Sequence, residues 1–441
     1  MADESQPLSR PSRPMSSWPN PQSTTGQRPP KVRRFAVMTN ALRHLRSPSL
    51  SACVLFLSGC MLVGRNYTTP DVITPDSWHQ SLSSDLHSSS SSLKTWWTRF
   101  NDPQLNRLIK TARDSNLDLA IAYERINQAR AARGVARSQL FPQLEFNGAV
   151  NRGRTSENIG FPSPPAGKTQ DTWVTGLDAG WEIDFFGGIR RSIESADASA
   201  EGAEELYRDT MVSLLAEVAF AYIQIRTLDE RIRLATSNIE AQRGSVELTR
   251  DRFNAGLAPE LDVSQAQTNL STTEATIPAL RNQREIALNR LAVLIGRYPS
   301  ATTSLLGNSS GIPVPGRSAG IGIPADLVRS RPDVRAAERN LAAQTARIGV
   351  AAADLFPRFT LAGTFQLQSL AASSLLESSS RNYAFGPSFR WNIFNAGRIR
   401  SQIAIEESLT KQAYLNYENT VLKGVAEVEN ALSSVRNERD R

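Results

Sequence analysis

The chain has 441 residues, 40% of them apolar and 21% charged, and a formal net charge of +7. This is the composition of a folded protein of two or three domains, and the charge alone would admit a nucleic-acid partner. Its distribution excludes one: residues 1–60 carry eight Lys and Arg against Asp3 and Glu4, so the remainder is nearly neutral and offers no basic face.

Residues 1–37 are rich in Pro, Ser and Arg and read as a disordered extension, with Met38 as a second possible start. Residues 38–59 read as a lipoprotein signal peptide: Arg43 and Arg46, then apolar Leu50–Leu57, then Leu57-Ser58-Gly59-Cys60. That quartet resembles a lipobox, which implies a diacylated Cys60, and Met61 after it suits outer-membrane sorting. A buried structural cysteine is the competing reading. Cys53 is the other cysteine, so no disulfide framework follows. The apolar run is too short to span a bilayer, and no later span is expected. Residues 60–95 read as an extended tether.

A first repeat is expected over 96–322. It begins with amphipathic helices at Trp96–Arg113 and Asn116–Leu140, the second stopped by Phe141-Pro142. Alternation predicts strands at 144–151 and 172–185. In the second, Trp173, Thr175, Leu177, Ala179, Trp181, Ile183 and Phe185 share one face, and Asp178, Glu182 and Asp184 the other. A helix at 190–253 follows, roughly 95 Å long at 1.5 Å per residue. Its heptad seam is Met211, Val218, Ile225, Ile232, Ile239, Val246 and Phe253, with Leu214, Ala221, Leu228 and Ala235 three positions on. Gly256 and Pro259 make a turn, a return helix spans 260–295 with a kink expected at Pro278, and a Gly/Pro/Ser linker ends at Gly322.

The pattern then recurs over 323–441. Gly134, Leu140-Phe-Pro142 and Gly148 reappear as Gly349, Leu355-Phe-Pro357 and Gly363, and Trp181…Gly188…Arg191 as Trp391…Gly397…Arg400. Strands are expected at 358–369 and 382–394. Four amphipathic strands per chain leave two unpaired edges, which lipid does not tolerate. Copies must therefore combine, two giving eight strands and three giving twelve. Trp173, Trp181, Phe185, Phe389 and Trp391 suit the aromatic girdles of an outer-membrane barrel. A soluble β-sandwich is the competing fold, but it does not account for helices of such length.

Together, Cys60, Trp96-Trp97, the two Leu-Phe-Pro motifs and Trp181-Glu-Ile-Asp-Phe-Phe-Gly187 resemble the TolC/OprM family of outer-membrane efflux channels, in its lipidated branch. Arg252–Gln267, Pro278–Gly296 and the Ile323–Val334 stretch extend the match. The resemblance implies a mixed α and β membrane protein: a homotrimer whose twelve-stranded barrel continues into a helical coiled-coil tunnel. It implies a tripartite pump with a periplasmic adaptor and an inner-membrane transporter of the resistance-nodulation-division type, and it places the chain in outer-membrane lipid. It assigns adaptor docking to Arg252, Phe253, Gly256, Leu257 and Asp262, and lumen lining to Asp178, Glu182, Asp184 and Arg390. The family also carries a second tip and a return helix, which this sequence lacks after Ala396. The second repeat therefore reads as truncated, with Val421, Val425, Val428 and Leu432 expected to lack a partner. A non-conducting truncated subunit, a periplasmic adaptor and a structural lipoprotein are the alternatives.

No enzyme, cofactor or metal is expected. His44, His79 and His87 all lie in the leader and tether, and Pro162–Thr169 lacks the first glycine and the N–H groups of a phosphate loop.

Overall fold

Two hairpins and the helices that continue them make up the architecture. The computed structural model describes residues 62–71, 75, 77–79, 86–87, 93–158, 167–300, 306, 311–315, 319–320 and 329–440. All belong to the second of the chain's two units, Gly59–Arg441; the first, Met1–Ser58, and Cys60 lie outside them. The extension, the signal peptide and most of the linker are therefore not among the described residues.

In chain order the elements are α1 (Pro103–Ser115), α2 (Leu117–Ser138), β1 (Gln143–Arg154), β2 (Thr169–Ile183), α3 (Gly188–Asn254), α4 (Glu260–Leu294), α5 (Pro332–Ala353), β3 (Arg358–Ser369), β4 (Arg381–Arg390) and α6 (Arg398–Asp440). A 3-10 turn, Leu93–Phe100, precedes α1, and residues 86–87 form a short parallel ladder with 319–320. The single helix expected from Trp96 to Arg113 is thus two elements. Asn101 takes a left-handed φ of 49°, and the Asp102 carboxylate caps α1 by accepting from Gln104 N and Leu105 N. Asn116 caps α2 in the same manner, accepting from Leu119 N while donating to Leu294 O across to α4. There the chain needs glycine at 296: φ is +64°, and a Cβ would sit 2.1 Å from Ser115 O.

The helix α3 has 67 residues, about 100 Å at 1.5 Å per residue. Its predicted seam is the buried face: Val218, Ala221, Ile225, Leu228, Ile239 and Val246 are all buried, while Met211, Ile232 and Ala235 are partly so. The main core gathers Leu105, Leu108, Ile109 and Leu119 from α1 and α2, Leu214 to Leu228 from α3, and Leu280, Leu288 and Leu291 from α4. Contrary to the expectation of no later span, α3 holds one stretch apolar and long enough to cross a membrane by composition. Half of that stretch is buried, and its helix carries the main core, so core packing accounts for its apolarity. Helix α4 runs on through Pro278 as one element.

The four strands form one antiparallel sheet in the order β1-β2-β3-β4. Among the described residues both edges, β1 and β4, are unpaired along their outer sides. Phe146, Leu177, Phe365 and Tyr383 lie in one row across the sheet, and Glu145, Asp178, Thr364 and Ala384 in the next. Because directly paired residues share a face, the register separates an apolar face from a polar one, as the alternation predicts. β4 stops at Arg390, short of the expected 394, so Trp391–Phe394 lie outside the sheet.

The duplication is physical as well as textual. Trp181 Nε1 donates to Leu140 O at 2.9 Å, and Trp391 Nε1 donates to Leu355 O at 3.0 Å. Each repeat thus ties the end of its second strand to the Leu-Phe-Pro turn before its first.

Candidate conduit and docking surfaces

Three regions bear on function: the polar face of the sheet, the turn between α3 and α4, and the junction where the strands become helices.

On the polar face, Asp178 accepts from Asn147 Nδ2 and, at 3.4 Å, from Gln366 Nε2. These amides two residues off register hold the carboxylate against the sheet. They were not among the residues singled out from sequence, because the contact depends on a strand register that alternation alone does not supply. Glu182 lies 3.8 Å from Arg358, and Arg390 faces Arg358 in the register. Asp184 departs from the expected strand face. It lies beyond β2, and its carboxylate accepts from Ile189 N and Arg190 N while pairing with the Arg190 side chain at 3.2 Å. A negative charge there closes the first turn of α3 and complements its dipole, so Asp184 is a capping residue.

At the far end of α3, Gly256 N donates to Phe253 O at 2.9 Å and Leu257 N to Arg252 O at 2.8 Å. Gly256 has φ +70° and nothing within 4 Å of a notional Cβ. Leu257 and Leu261 are 78% and 72% exposed, and Phe253 is 41% exposed. Asp262 N donates to Pro259 O at the start of α4. The five residues singled out there are therefore one exposed turn, with exposed apolar side chains at its apex.

At the junction, Arg191 is 1% exposed, although its sequence gave no sign of burial. It donates to Val63 O (2.9 Å), Gly64 O (3.1 Å) and Asn66 Oδ1 (2.9 Å), and pairs with Glu194. Gly349 admits the methylene stem of this arginine, since a Cβ there would lie 2.7 Å from Arg191 Cγ. Farther along the tether, Tyr67 and Thr69 donate to Glu338, and His79 N donates to Glu429. The described parts of the expected tether, residues 62–71 and 77–79, therefore form a docked strap along α5 and α6. Burial and the neighbouring Glu338 carboxylate hold the Tyr67 phenol far above its usual range.

Two polar networks brace the helices. Tyr222 OH donates to Asp102 Oδ2 (2.8 Å), Arg226 donates to Tyr222 OH and to Leu306 O, and Asp229 joins Arg226 to Arg284. In the other, Arg331 bridges Asp333 (2.8 Å) and Glu427 (2.7 Å), linking α5 to α6. Burial opposes ionisation of Asp333, but hydrogen bonds and charge from Arg331 outweigh it and lower its pKa. For Asp209 the balance is reversed, and burial followed by the Asp333 charge raises its pKa. Val421 is buried against Val334 and Ala337, with Val425 packed beside them, and Leu432 is also buried. These seam residues are expected to lose the partner that a return helix would supply; α5 packs against Val421 and Val425 from another side. Among the described residues no group of three His, Cys, Asp or Glu side chains is arranged to hold a metal.

A four-stranded amphipathic sheet running into helices of this length is the fold of outer-membrane channels. The outer-membrane channel OprN superposes with a TM-score of 0.79 at 36% identity, over 86% of this chain and 84% of that one. The Campylobacter jejuni CmeC outer membrane channel, at 22% identity and a TM-score of 0.79, shares the fold. The family model for outer membrane efflux protein matches residues 108–297 and 323–441. Nodulation protein T of Rhizobium leguminosarum bv. trifolii is 31% identical over 387 residues, 87% of this chain and 80% of that protein. The pyoverdine export outer membrane protein OpmQ of Pseudomonas aeruginosa is 30% identical over 389 residues, 86% of this chain and 80% of that protein. The chain belongs to the outer membrane efflux protein family, and its place is the outer membrane.

Proposed function

We propose that three copies of the chain close a twelve-stranded barrel and form the passive outer-membrane conduit of a tripartite efflux pump. The observation that carries this reading is the sheet itself, four strands with an apolar face and two open edges. In lipid each unpaired backbone group costs several kcal/mol, so the edges require partners, and a neighbouring copy offers the matching edge. Phe146, Phe365, Tyr383 and Phe385 then face lipid, and Asp178, Glu182 and Arg390 line the lumen. Cys60 carries the acyl chains. Leu62, only two residues on, packs beside Gly187 at the strand–helix junction, the level expected for the inner leaflet. The exposed turn at Arg252, Phe253, Gly256, Leu257 and Asp262 receives a periplasmic adaptor, which connects it to an inner-membrane transporter of the resistance-nodulation-division type. The conduit performs no chemistry and needs no cofactor.

The test is the molar mass, by light scattering, of the chain extracted in detergent from outer membranes, followed by conductance in planar bilayers. A trimer with large, weakly selective conductance supports the reading. A monomer with no conductance refutes it in favour of a non-conducting subunit.

A further inference from the structure

The internal repeat fixes more than the number of strands. In the first hairpin Gln143 faces Gly180, and in the second Arg358 faces Arg390, 215 and 210 residues further on. Each strand of one hairpin therefore maps onto a strand of the other with a constant shift. The two hairpins meet at β2 and β3, where Ile183 faces Phe359, Trp181 faces Leu361 and Ala179 faces Gly363. Among the described residues this is the one strand pairing that joins the two repeats. The ring proposed above requires the same contact once more, between β4 of one copy and β1 of the next.

Applying the two shifts to the observed pairing, we infer that β4 pairs antiparallel with β1 of the neighbouring copy so that Ile393 faces Leu144, Trp391 faces Phe146, Phe389 faces Gly148 and Ser388 faces Ala149. The inference rests on the ring, but its content is the register. Three observations support it. First, the pairing keeps faces together: Trp391 and Phe146 fall on the apolar side, and Ser388 and Ala149 on the polar side. A slip of one residue would mix them. Second, it sets the ring of Phe389 over a glycine, as Phe385 already lies over Gly363 inside the chain. Third, it explains where β4 ends. Trp181 and Ile183, the counterparts of Trp391 and Ile393, have their ladder partners on the following repeat and none on β1. The following repeat for Trp391–Ile393 is another copy, and these residues lie outside the sheet in the single chain, with Ile393 82% exposed. In the assembly β4 lengthens to Ile393.

Disulfide trapping tests the register, because directly paired Cβ atoms lie about 4.5–5.5 Å apart and diagonal ones sit near 7–8 Å. The full chain carrying Ser388→Cys with Ala149→Cys is expressed in outer membranes, oxidised and run without reductant. Ser388→Cys with Asn147→Cys, Ser388→Cys with Asn151→Cys, and each single variant are run beside it. The expected result is a covalent trimer from the Ser388/Ala149 variant that collapses to monomer on reduction, with at least tenfold less from the two displaced pairs. A trimer trapped by Asn147 or Asn151 instead leaves the ring standing and overturns the register. No trapping by any pair, in chains that reach the membrane, overturns both the register and the ring.

Discussion

Substitution at Gly256 separates the geometry of the α3–α4 turn from its role as a surface. The residue sits at φ +70° with open space where a side chain would project. Alanine and arginine at this position therefore incur the same backbone cost, about 1–2 kcal/mol for a non-glycine residue in the left-handed region, and neither meets a clash. The turn lies at the end of a helix whose buried seam reaches back through Val246 and Ile239, so that cost frays a turn and does not unfold the subunit. What differs is a long charged side chain among Phe253, Leu257 and Leu261. If that apex is covered by an adaptor, burying an unpaired charge costs about 3 kcal/mol, roughly a 100-fold loss of affinity. In cells carrying the cognate pump, Gly256→Ala is expected to keep most drug efflux and Gly256→Arg to lose it, while both reach the outer membrane in equal amounts. Equal loss of efflux from the two variants, measured by dye accumulation, would show that the turn acts through its backbone alone and would remove the docking argument.

Four further outcomes follow from the structure. Leu177→Arg places a charge between Phe146 and Phe365 on the apolar face and should cost about 2–4 kcal/mol near the bilayer midplane, whereas Asp178→Asn should be tolerated; heat resistance of the assembled barrel on gels compares them. Tyr222→Phe removes the hydroxyl shared by buried Asp102 and Arg226 and should destabilise the helical core by about 1–3 kcal/mol, seen as faster proteolysis between α1 and α3. Asp209 has a raised pKa when folded, so its ionisation opposes folding as pH climbs past the normal carboxylate range, and Asp209→Asn should raise the melting temperature at neutral pH. Asp333 has a lowered pKa, so its contribution is present above the unfolded pKa and lost as pH falls through the folded one. Asp333→Asn should therefore destabilise at pH 7 and have little effect in acid.

The sequence was most legible where structure is periodic. The α3 seam, the four strands with their faces and the repeat all follow from residues that recur at 3.5 or 2.0 positions, because those spacings state directly which side chains are buried together. Polar side chains were less legible. Asp184 shares parity with Asp178 and Glu182, yet it lies just past the end of β2, where its carboxylate reaches the first N–H groups of α3 instead of the strand face. Nothing local to Arg191 or Tyr222 announces that their partners lie more than a hundred positions away.

The junction illustrates why such contacts escape pattern and still govern assembly. Four elements converge there: the strap at Val63–Asn66, the end of β2, the start of α3 and the end of α5. Val63 N donates to Phe186 O, Phe186 stacks on Phe356 with centroids 4.6 Å apart, and Arg191 closes the strap from beneath. Each contact is short and polar or aromatic, and none repeats along the chain. Yet together they join the second strand of one repeat to the Leu-Phe-Pro turn of the next. Arg191→Ala tests that role. It would leave the Val63 and Gly64 carbonyls without their donor in a partly buried site that water can reach, so each lost bond costs about 0.5–1.5 kcal/mol. The expected phenotype is a strap that becomes protease-sensitive around residue 65 while the sheet stays folded. Unchanged cleavage there would mean that the strap is held by Glu338 and Glu429 alone, and that the buried guanidinium serves only to pack α3 against α5.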